Sequence, residues 1–124
     1  MPRYMHQFKY SLESMKAMAA KPQDRRAAAK KLVAAAGGKL IDIYFCFGDY
    51  DGVLISEFPS NVDAASIAIA TGASGGFSEV KTTVLITMEE SKEAMVKAGK
   101  VAKKYRPPAG SSDRLPSTPS HTVL

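Results

Sequence analysis

The segment that most constrains the fold of this chain is a short connection, Gly48–Gly52, between two apolar runs. The run before it, Leu40–Phe47, and the run after it, Val53–Phe58, are rich in Ile, Val, Tyr and Phe, which are typical of β-strands. Gly and Asp, which form turns readily, dominate the connection. The pattern therefore predicts a β-hairpin whose tip carries two carboxylates and a phenol.

The rest of the chain alternates between strand-like and helix-like segments. Alternating polarity predicts a first strand at Arg3–Lys9, and a run of β-branched residues predicts a last strand at Phe77–Thr87. Helical spacing of apolar residues predicts four helices, at Leu12–Ala20, Gln23–Ala36, Val62–Thr71 and Met88–Lys104. This order is that of a ferredoxin-like α+β domain, βαββαβ with an antiparallel sheet, followed by an extra C-terminal helix.

The predicted sheet has more large apolar side chains than one layer of helices needs to cover. They are Tyr4, Phe8, Phe45, Phe47, Val84 and Ile86. An apolar sheet face that no helix covers needs another partner. We therefore predict a homodimer or higher homo-oligomer in which two sheets pack face to face, as in a dimeric α/β barrel. In the alternative, the extra C-terminal helix folds back over the sheet of its own chain.

The length of 124 residues accommodates one domain and a tail. We predict a ferredoxin-like domain over residues 1–106. Residues 107–124 are rich in Pro, Ser and Thr, which predicts a tail that is either mobile or ordered against a neighbouring subunit.

The net charge of +5 comes from an excess of Lys and Arg on the predicted helices. Basic helices can bind nucleic acid or an acidic partner, but no aromatic residues interleave with these charges, so we expect solvated helix faces and no nucleic acid. No run approaches the roughly 18 apolar residues of a membrane span, and the N-terminus lacks the apolar segment of a signal peptide. A single cysteine, Cys46, excludes an internal disulfide, and together these features predict a cytoplasmic protein.

Several short motifs, in their order along the chain, resemble those of the GYD domain family. The main one is Gly48-Asp49-Tyr50-Asp51 after Tyr44-Phe45-Cys46-Phe47; Arg25-Arg26, Gly37-Gly38-Lys39-Leu40 and Glu57-Phe58-Pro59 agree with it. The resemblance covers roughly Arg3 to Pro108. It implies a small bacterial or archaeal protein with a dimeric α/β-barrel type of fold, and it supplies no activity.

Two residues of the hairpin tip, Tyr50 and Asp51, are candidate catalytic residues, and Asp49 beside them is a candidate ligand-binding residue. Neighbouring carboxylates can acquire different pKa values, so that one acts as an acid and the other as a base. A phenol can donate a hydrogen bond to a developing oxyanion. In the alternative, these residues only form the turn, because Asp and Gly are turn formers.

His6, on the first predicted strand, is the third candidate catalytic residue, since a histidine can act as a base near neutral pH. No other His or Cys has a metal-ligand spacing to it, so we predict a partly buried or interface histidine and no metal site. Tyr44 and Arg25 are candidate ligand-binding residues, because a phenol can orient a substrate and a guanidinium can clamp a carboxylate. Cys46 is expected to be a buried structural residue.

The favoured prediction is an assembly or small-ligand-binding module without a cofactor. The alternative is a small cofactor-free enzyme, an isomerase or oxygenase, that acts on a small organic molecule in the cleft between sheet and helices. In that case His6 or Asp51 is the base, and Tyr44 and Tyr50 orient the substrate. A second alternative is binding of nucleic acid or an acidic partner by the basic helices. A cavity of several hundred Å³ with His6 or Tyr50 in its wall favours a ligand or a substrate.

Overall fold

The computed structural model describes residues 1–109 and contains four strands and four helices in that range. They are β1 (Arg3–Tyr10), α1 (Leu12–Ala20), α2 (Arg26–Ala35), β2 (Lys39–Phe45), β3 (Gly52–Glu57), α3 (Asn61–Ala73), β4 (Phe77–Leu85) and α4 (Met88–Ala102). The elements from β1 to β4 form one compact unit, and α4 belongs to a second unit that begins at Thr87. The predicted tail lies largely outside the described residues, and a domain boundary at residue 106 stays a prediction.

The four strands form one antiparallel sheet in the order β2-β3-β1-β4. β1 lies in the middle and pairs with β3 on one side and β4 on the other, whereas β2 and β4 form the edges. This order, with helices between the first and second strands and between the third and fourth, confirms the predicted ferredoxin-like α+β fold. The extra C-terminal helix is confirmed as well.

Helices α2 and α3 cover one face of the sheet, which we call the near face. On β1 this face carries Tyr4, His6 and Phe8, and all three are buried. Together with Leu54 of β3 and residues of the helices they form the hydrophobic core. The buried core residues are Tyr4, Phe8, Val33, Leu54, Phe58, Ala64 and Ile67. Strand alternation and helical spacing therefore produce the two-layer packing that the sequence predicts.

The opposite face, which we call the far face, is less apolar than expected. Tyr4 and Phe8 lie on the near face, where they are buried. Val84 of β4 lies on the same face, because it pairs with Tyr4 of β1. Counting them towards a second apolar face is therefore wrong. The apolar part of the far face instead includes Met5, Val53 and Ile55, with Met5 directly opposite Ile55.

An irregularity in β2 explains a second difference from the expected faces. Simple alternation puts Leu40 and Ile43 on opposite faces of the strand. In the structure the register with β3 shifts between Leu40 and Asp42, so that Ile41 is an extra residue, a β-bulge. Leu40 then pairs with Ser56, Ile43 pairs with Leu54, and both point to the near face.

Helix α4 begins with a capping box. The backbone N–H of Glu90 donates to Thr87 Oγ1 at 3.0 Å, and Glu90 Oε1 accepts from the backbone N–H of Thr87 at 2.8 Å. Its apolar side chains, such as Met95 and Val101, are exposed. Within the described part of the chain, no helix has the length and apolar character needed to span a membrane.

Candidate functional site

A cavity of about 320 Å³ lies between the near face and helices α2 and α3. Its size falls within the range of small-ligand pockets. Three alanines, Ala28 and Ala29 of α2 and Ala70 of α3, line it from the helix side. Because alanine side chains are short, the two helices leave space above the sheet instead of filling it.

Three aromatic rings form one wall of the cavity. Phe8 and Phe77 meet edge to face with ring centroids 5.3 Å apart, and Tyr10 stacks on Phe77 at 5.1 Å. Gly52 of β3 makes room for this wall, because a Cβ atom at that position would collide with the ring of Phe8. The wall therefore has a fixed shape that depends on a glycine in the neighbouring strand.

His6 lies in the sheet side of the cavity, and its two ring nitrogens both have partners. Nδ1 is 3.0 Å from Thr82 Oγ1, and Nε2 is 3.0 Å from Ser56 Oγ. Burial lowers the pKa of His6 below its ordinary value of 6.5. The ring is therefore neutral at pH 7, with one nitrogen donating to a hydroxyl and the other accepting from one.

Tyr10 and Arg25 are the remaining polar groups of note, and both line the cavity. Burial raises the pKa of the Tyr10 phenol, the nearby Arg25 guanidinium opposes this effect, and the Asp51 carboxylate adds to it. Arg25 is exposed, directly precedes α2, and donates from Nη1 to Gln23 Oε1 at 2.9 Å. Sequence reasoning selects Arg25 as a candidate site residue and does not select Tyr10, although alternation with His6 and Phe8 places Tyr10 on the same face of β1.

Asp51 fastens the hairpin to the end of β1. Its Oδ2 accepts from the backbone N–H of Tyr10 at 2.9 Å, and its own N–H donates to the Phe8 carbonyl at 2.8 Å. Its carbonyl accepts from the N–H of Cys46 at 2.7 Å. The carboxylate thus satisfies a backbone donor where the pairing of β1 with β4 becomes irregular.

The other candidate residues lie on the surface around the hairpin. The Tyr50 hydroxyl donates to Glu79 Oε2 at 3.0 Å, and this hydrogen bond raises the pKa of Tyr50. The Tyr44 hydroxyl donates to Asp42 Oδ2 at 2.7 Å, which raises the pKa of Tyr44 and lowers that of Asp42. Asp49 is exposed.

Of the six sequence-predicted site residues, the structure brings His6 and Arg25 together at the main cavity. Tyr44 shares a second hollow of about 300 Å³ with Arg25. The main cavity is lined by neither Tyr50 nor Asp51. Within residues 1–109, no three His, Cys, Asp or Glu side chains form a group that could hold a metal ion.

The GYD domain model matches residues 4–95 of the sequence, a range that runs from β1 into α4. The chain belongs to the GYD domain family. This match confirms the resemblance that the hairpin motif and its companions indicate. No curated protein matches the sequence of this GYD domain.

Solved structures with a similar chain path include the crystal structure of MtbAldR, at 15% identity and a TM-score of 0.52. The alignment covers 69% of this chain and 53% of the MtbAldR chain, so this chain spans about half the length of MtbAldR. An AsnC family transcriptional regulator from Agrobacterium tumefaciens shares 12% identity at a TM-score of 0.46, over 69% of this chain and 50% of that one. A Thermus thermophilus protein, TTHA0845, shares 13% identity at a TM-score of 0.45, over 70% and 95% of the two chains. At such identities the likeness to MtbAldR shows a common fold alone.

Proposed function

We propose that this GYD domain is a small-ligand-binding module that holds an organic molecule between the near face and helices α2 and α3. The observation that supports the proposal is the cavity of about 320 Å³, which apolar and aromatic side chains line for the most part. Protein interiors are close-packed, and uncovered apolar surface is unfavourable in water. Since an apolar cavity of about 150 Å³ can hold benzene, this one accommodates roughly ten to twelve non-hydrogen atoms.

Filling the cavity tests the proposal. Ala70→Leu places a larger side chain on the cavity wall, whereas Ala65→Leu adds the same side chain at an exposed position of α3 that does not line the cavity. Leucine is a good helix former, so both variants are expected to fold. The neutral probe is 4-phenylbutanol, and its binding is followed by amide NMR spectra.

We expect the probe to shift cavity resonances in the wild type and in Ala65→Leu, and to bind Ala70→Leu at least about tenfold more weakly. Equal binding by Ala70→Leu and the wild type would place the probe elsewhere and refute the proposal. The absence of any shift at millimolar probe would also refute it, provided that the purified protein carries no small molecule of its own. Native mass spectrometry of the purified protein detects, by its mass, any small molecule that the protein already carries.

Assembly is a second candidate function, and the apolar residues of the far face favour it. Met5, Val53 and Ile55 are half-buried in the single chain and form a continuous patch across β1 and β3. A second copy of the sheet would cover this patch. We propose a sheet-on-sheet homodimer.

Catalysis in the cavity is the alternative proposal for the same site. It assigns His6, Tyr50 or Asp51 to acid–base chemistry on a small organic molecule. Two observations count against it. Neither Tyr50 nor Asp51 lines the cavity. Both nitrogens of His6 already have hydrogen-bond partners, whereas a catalytic base needs a free lone pair within reach of substrate.

A further inference from the structure

Five polar side chains line the main cavity: His6, Tyr10, Arg25, Thr71 and Ser74. Three of them already form hydrogen bonds with other groups of the protein. Both nitrogens of His6 face hydroxyls, Thr71 Oγ1 donates to a carbonyl of its own helix at 2.8 Å, and Ser74 Oγ donates to the Thr71 carbonyl at 2.7 Å. The groups left to meet a ligand are the phenol of Tyr10 and the guanidinium of Arg25.

The positive charge of Arg25 is not neutralised by an ion pair with any described residue. The two ion pairs of residues 1–109 join Arg3 to Glu57 and Arg26 to Asp24. The hydrogen-bond acceptor at Arg25 Nη1 is the neutral side chain of Gln23. A guanidinium has five N–H donors, so most of them are available at the cavity wall.

A carboxylate, that of Asp51, lies next to the backbone of Tyr10. Its Oδ2 already accepts the backbone N–H of Tyr10 at 2.9 Å. The negative charge of Asp51 therefore repels any negative charge that a ligand places next to Tyr10. A ligand with a single negative charge meets less of this repulsion than a ligand with two, and the positive charge of Arg25 offsets it.

We propose that the cavity binds a monocarboxylic acid with an aromatic body, its carboxylate held by Arg25 and Tyr10; this inference rests on the proposed ligand-binding function. A planar guanidinium matches a carboxylate with two parallel N–H···O hydrogen bonds, and the Tyr10 hydroxyl can donate a third. The rings of Phe8 and Phe77 offer edges and faces to an aromatic group of the ligand. The cavity volume admits one such ring with a short linker.

The test compares an acid with its alcohol on the same protein. The probes are 4-phenylbutanoate and 4-phenylbutanol, which share the aromatic body and differ in the charged head. Arg25→Gln removes the proposed carboxylate partner, and Lys30→Gln removes the same charge from an exposed position of α2 away from the cavity. Affinities are measured by calorimetry and by amide NMR at about pH 7, where the acid is ionised.

For the wild type and Lys30→Gln, we expect the acid to bind at least about tenfold more tightly than the alcohol. In Arg25→Gln this preference should disappear. The affinity of this variant for the alcohol should stay within about twofold of the wild-type value, and such binding also shows that the variant is folded. Tyr10→Phe should weaken the binding of the acid more than the binding of the alcohol, because the substitution keeps the aromatic ring and removes only the hydroxyl group.

The two proposals fail in different ways. If the alcohol binds in the cavity as tightly as the acid, or if Arg25→Gln keeps the preference for the acid, the carboxylate inference is overturned and the ligand-binding proposal stands. If neither probe binds and the purified protein carries no small molecule that Ala70→Leu excludes, both are overturned. If neither probe binds but the purified protein carries a molecule that lacks a carboxylate and that Ala70→Leu excludes, only the carboxylate inference falls.

Discussion

His6 is a titratable group whose surroundings favour its neutral form. Burial lowers its pKa in the folded protein, and in the unfolded chain the pKa returns to about 6.5. The unfolded state therefore takes up a proton first as the pH falls. The free energy of unfolding is then fully retained above about pH 6.5 and decreases below it, until the pKa of the folded state is also passed.

Urea unfolding of the wild type and of His6→Gln at a series of pH values tests this behaviour. We expect the wild type to lose stability between about pH 7 and pH 5 with a contribution from His6 of at most about 1.4 kcal/mol per pH unit. His6→Gln cannot take up this proton, so its stability should depend less on pH over the same interval. Parallel pH profiles for the two proteins would contradict a buried neutral His6.

Asp51 is expected to matter for stability because its carboxylate satisfies the backbone N–H of Tyr10. Asp51→Ala leaves that donor without its partner, and the free energy of unfolding should fall by about 1–3 kcal/mol. Asp49→Ala is the matched control, since Asp49 is an exposed carboxylate two residues away. Its effect should stay within about 0.5 kcal/mol. Equal effects of the two substitutions in chemical denaturation would disprove the structural role of Asp51.

The sequence identifies part of this site and not the rest, for a physical reason. His6 and Arg25 are chemically conspicuous residues, and both lie at the cavity. Alternation places Tyr10 on the same strand face as His6 and Phe8, but it does not show that a cavity lies beside this residue, so Tyr10 is not among the predicted site residues. The contact of Asp51 with Tyr10 joins residues far apart in the chain, and local patterns carry no information about such pairs.

Among the secondary-structure elements, β3 is the one whose sequence most directly shapes the cavity. A side chain at Gly52 would meet the ring of Phe8, and Phe8 belongs to the aromatic wall. Gly72, in α3, has open space where a Cβ atom would lie. The two glycines therefore have opposite expected responses to the same substitution.

Gly52→Ala should displace the Phe8 ring and lower the free energy of unfolding by roughly 1–3 kcal/mol. Gly72→Ala should raise it by up to about 1 kcal/mol, because alanine is the better helix former. Thermal or urea unfolding of both variants measures this difference. A Gly52→Ala protein as stable as the wild type, with unchanged probe binding, would show that the aromatic wall adapts freely.

The order and type of the elements could be predicted from the sequence, whereas their faces could only be predicted in part. Helix α1 has the predicted bounds, but the helix predicted at Gln23–Ala36 begins at Arg26, and the strand predicted to reach Phe47 ends at Phe45. In β2 the alternation of apolar residues is ambiguous, because Leu40, Ile41 and Ile43 are all apolar. The bulge that decides their orientation depends on the pairing with β3, which no local pattern shows.

For the whole molecule, the main prediction is the sheet-on-sheet dimer. Ile55→Lys puts a charge at the centre of the far face, next to Met5. Burying that charge between two sheets is unfavourable, so the variant should be monomeric. Ala65→Lys adds the same charge at an exposed position of α3 and should leave the assembly unchanged. Light scattering after size-exclusion chromatography gives the mass of each protein, and circular dichroism checks that each is folded.

A wild type that is monomeric at micromolar concentration would contradict the dimer. It would favour the alternative, in which the C-terminal helix covers the sheet of its own chain. A wild-type dimer that survives Ile55→Lys would show that the copies meet through another surface.

The extra residue in β2 also has a consequence for comparing members of the GYD domain family. A relative without the bulge would have a strand that is one residue shorter, among apolar residues that look interchangeable. The gap in an alignment would then belong at Ile41, inside the strand, and not in the neighbouring loop. A gap placed in the loop would shift Lys39 and Leu40 by one position, and each would be compared with a residue from the opposite side of the sheet.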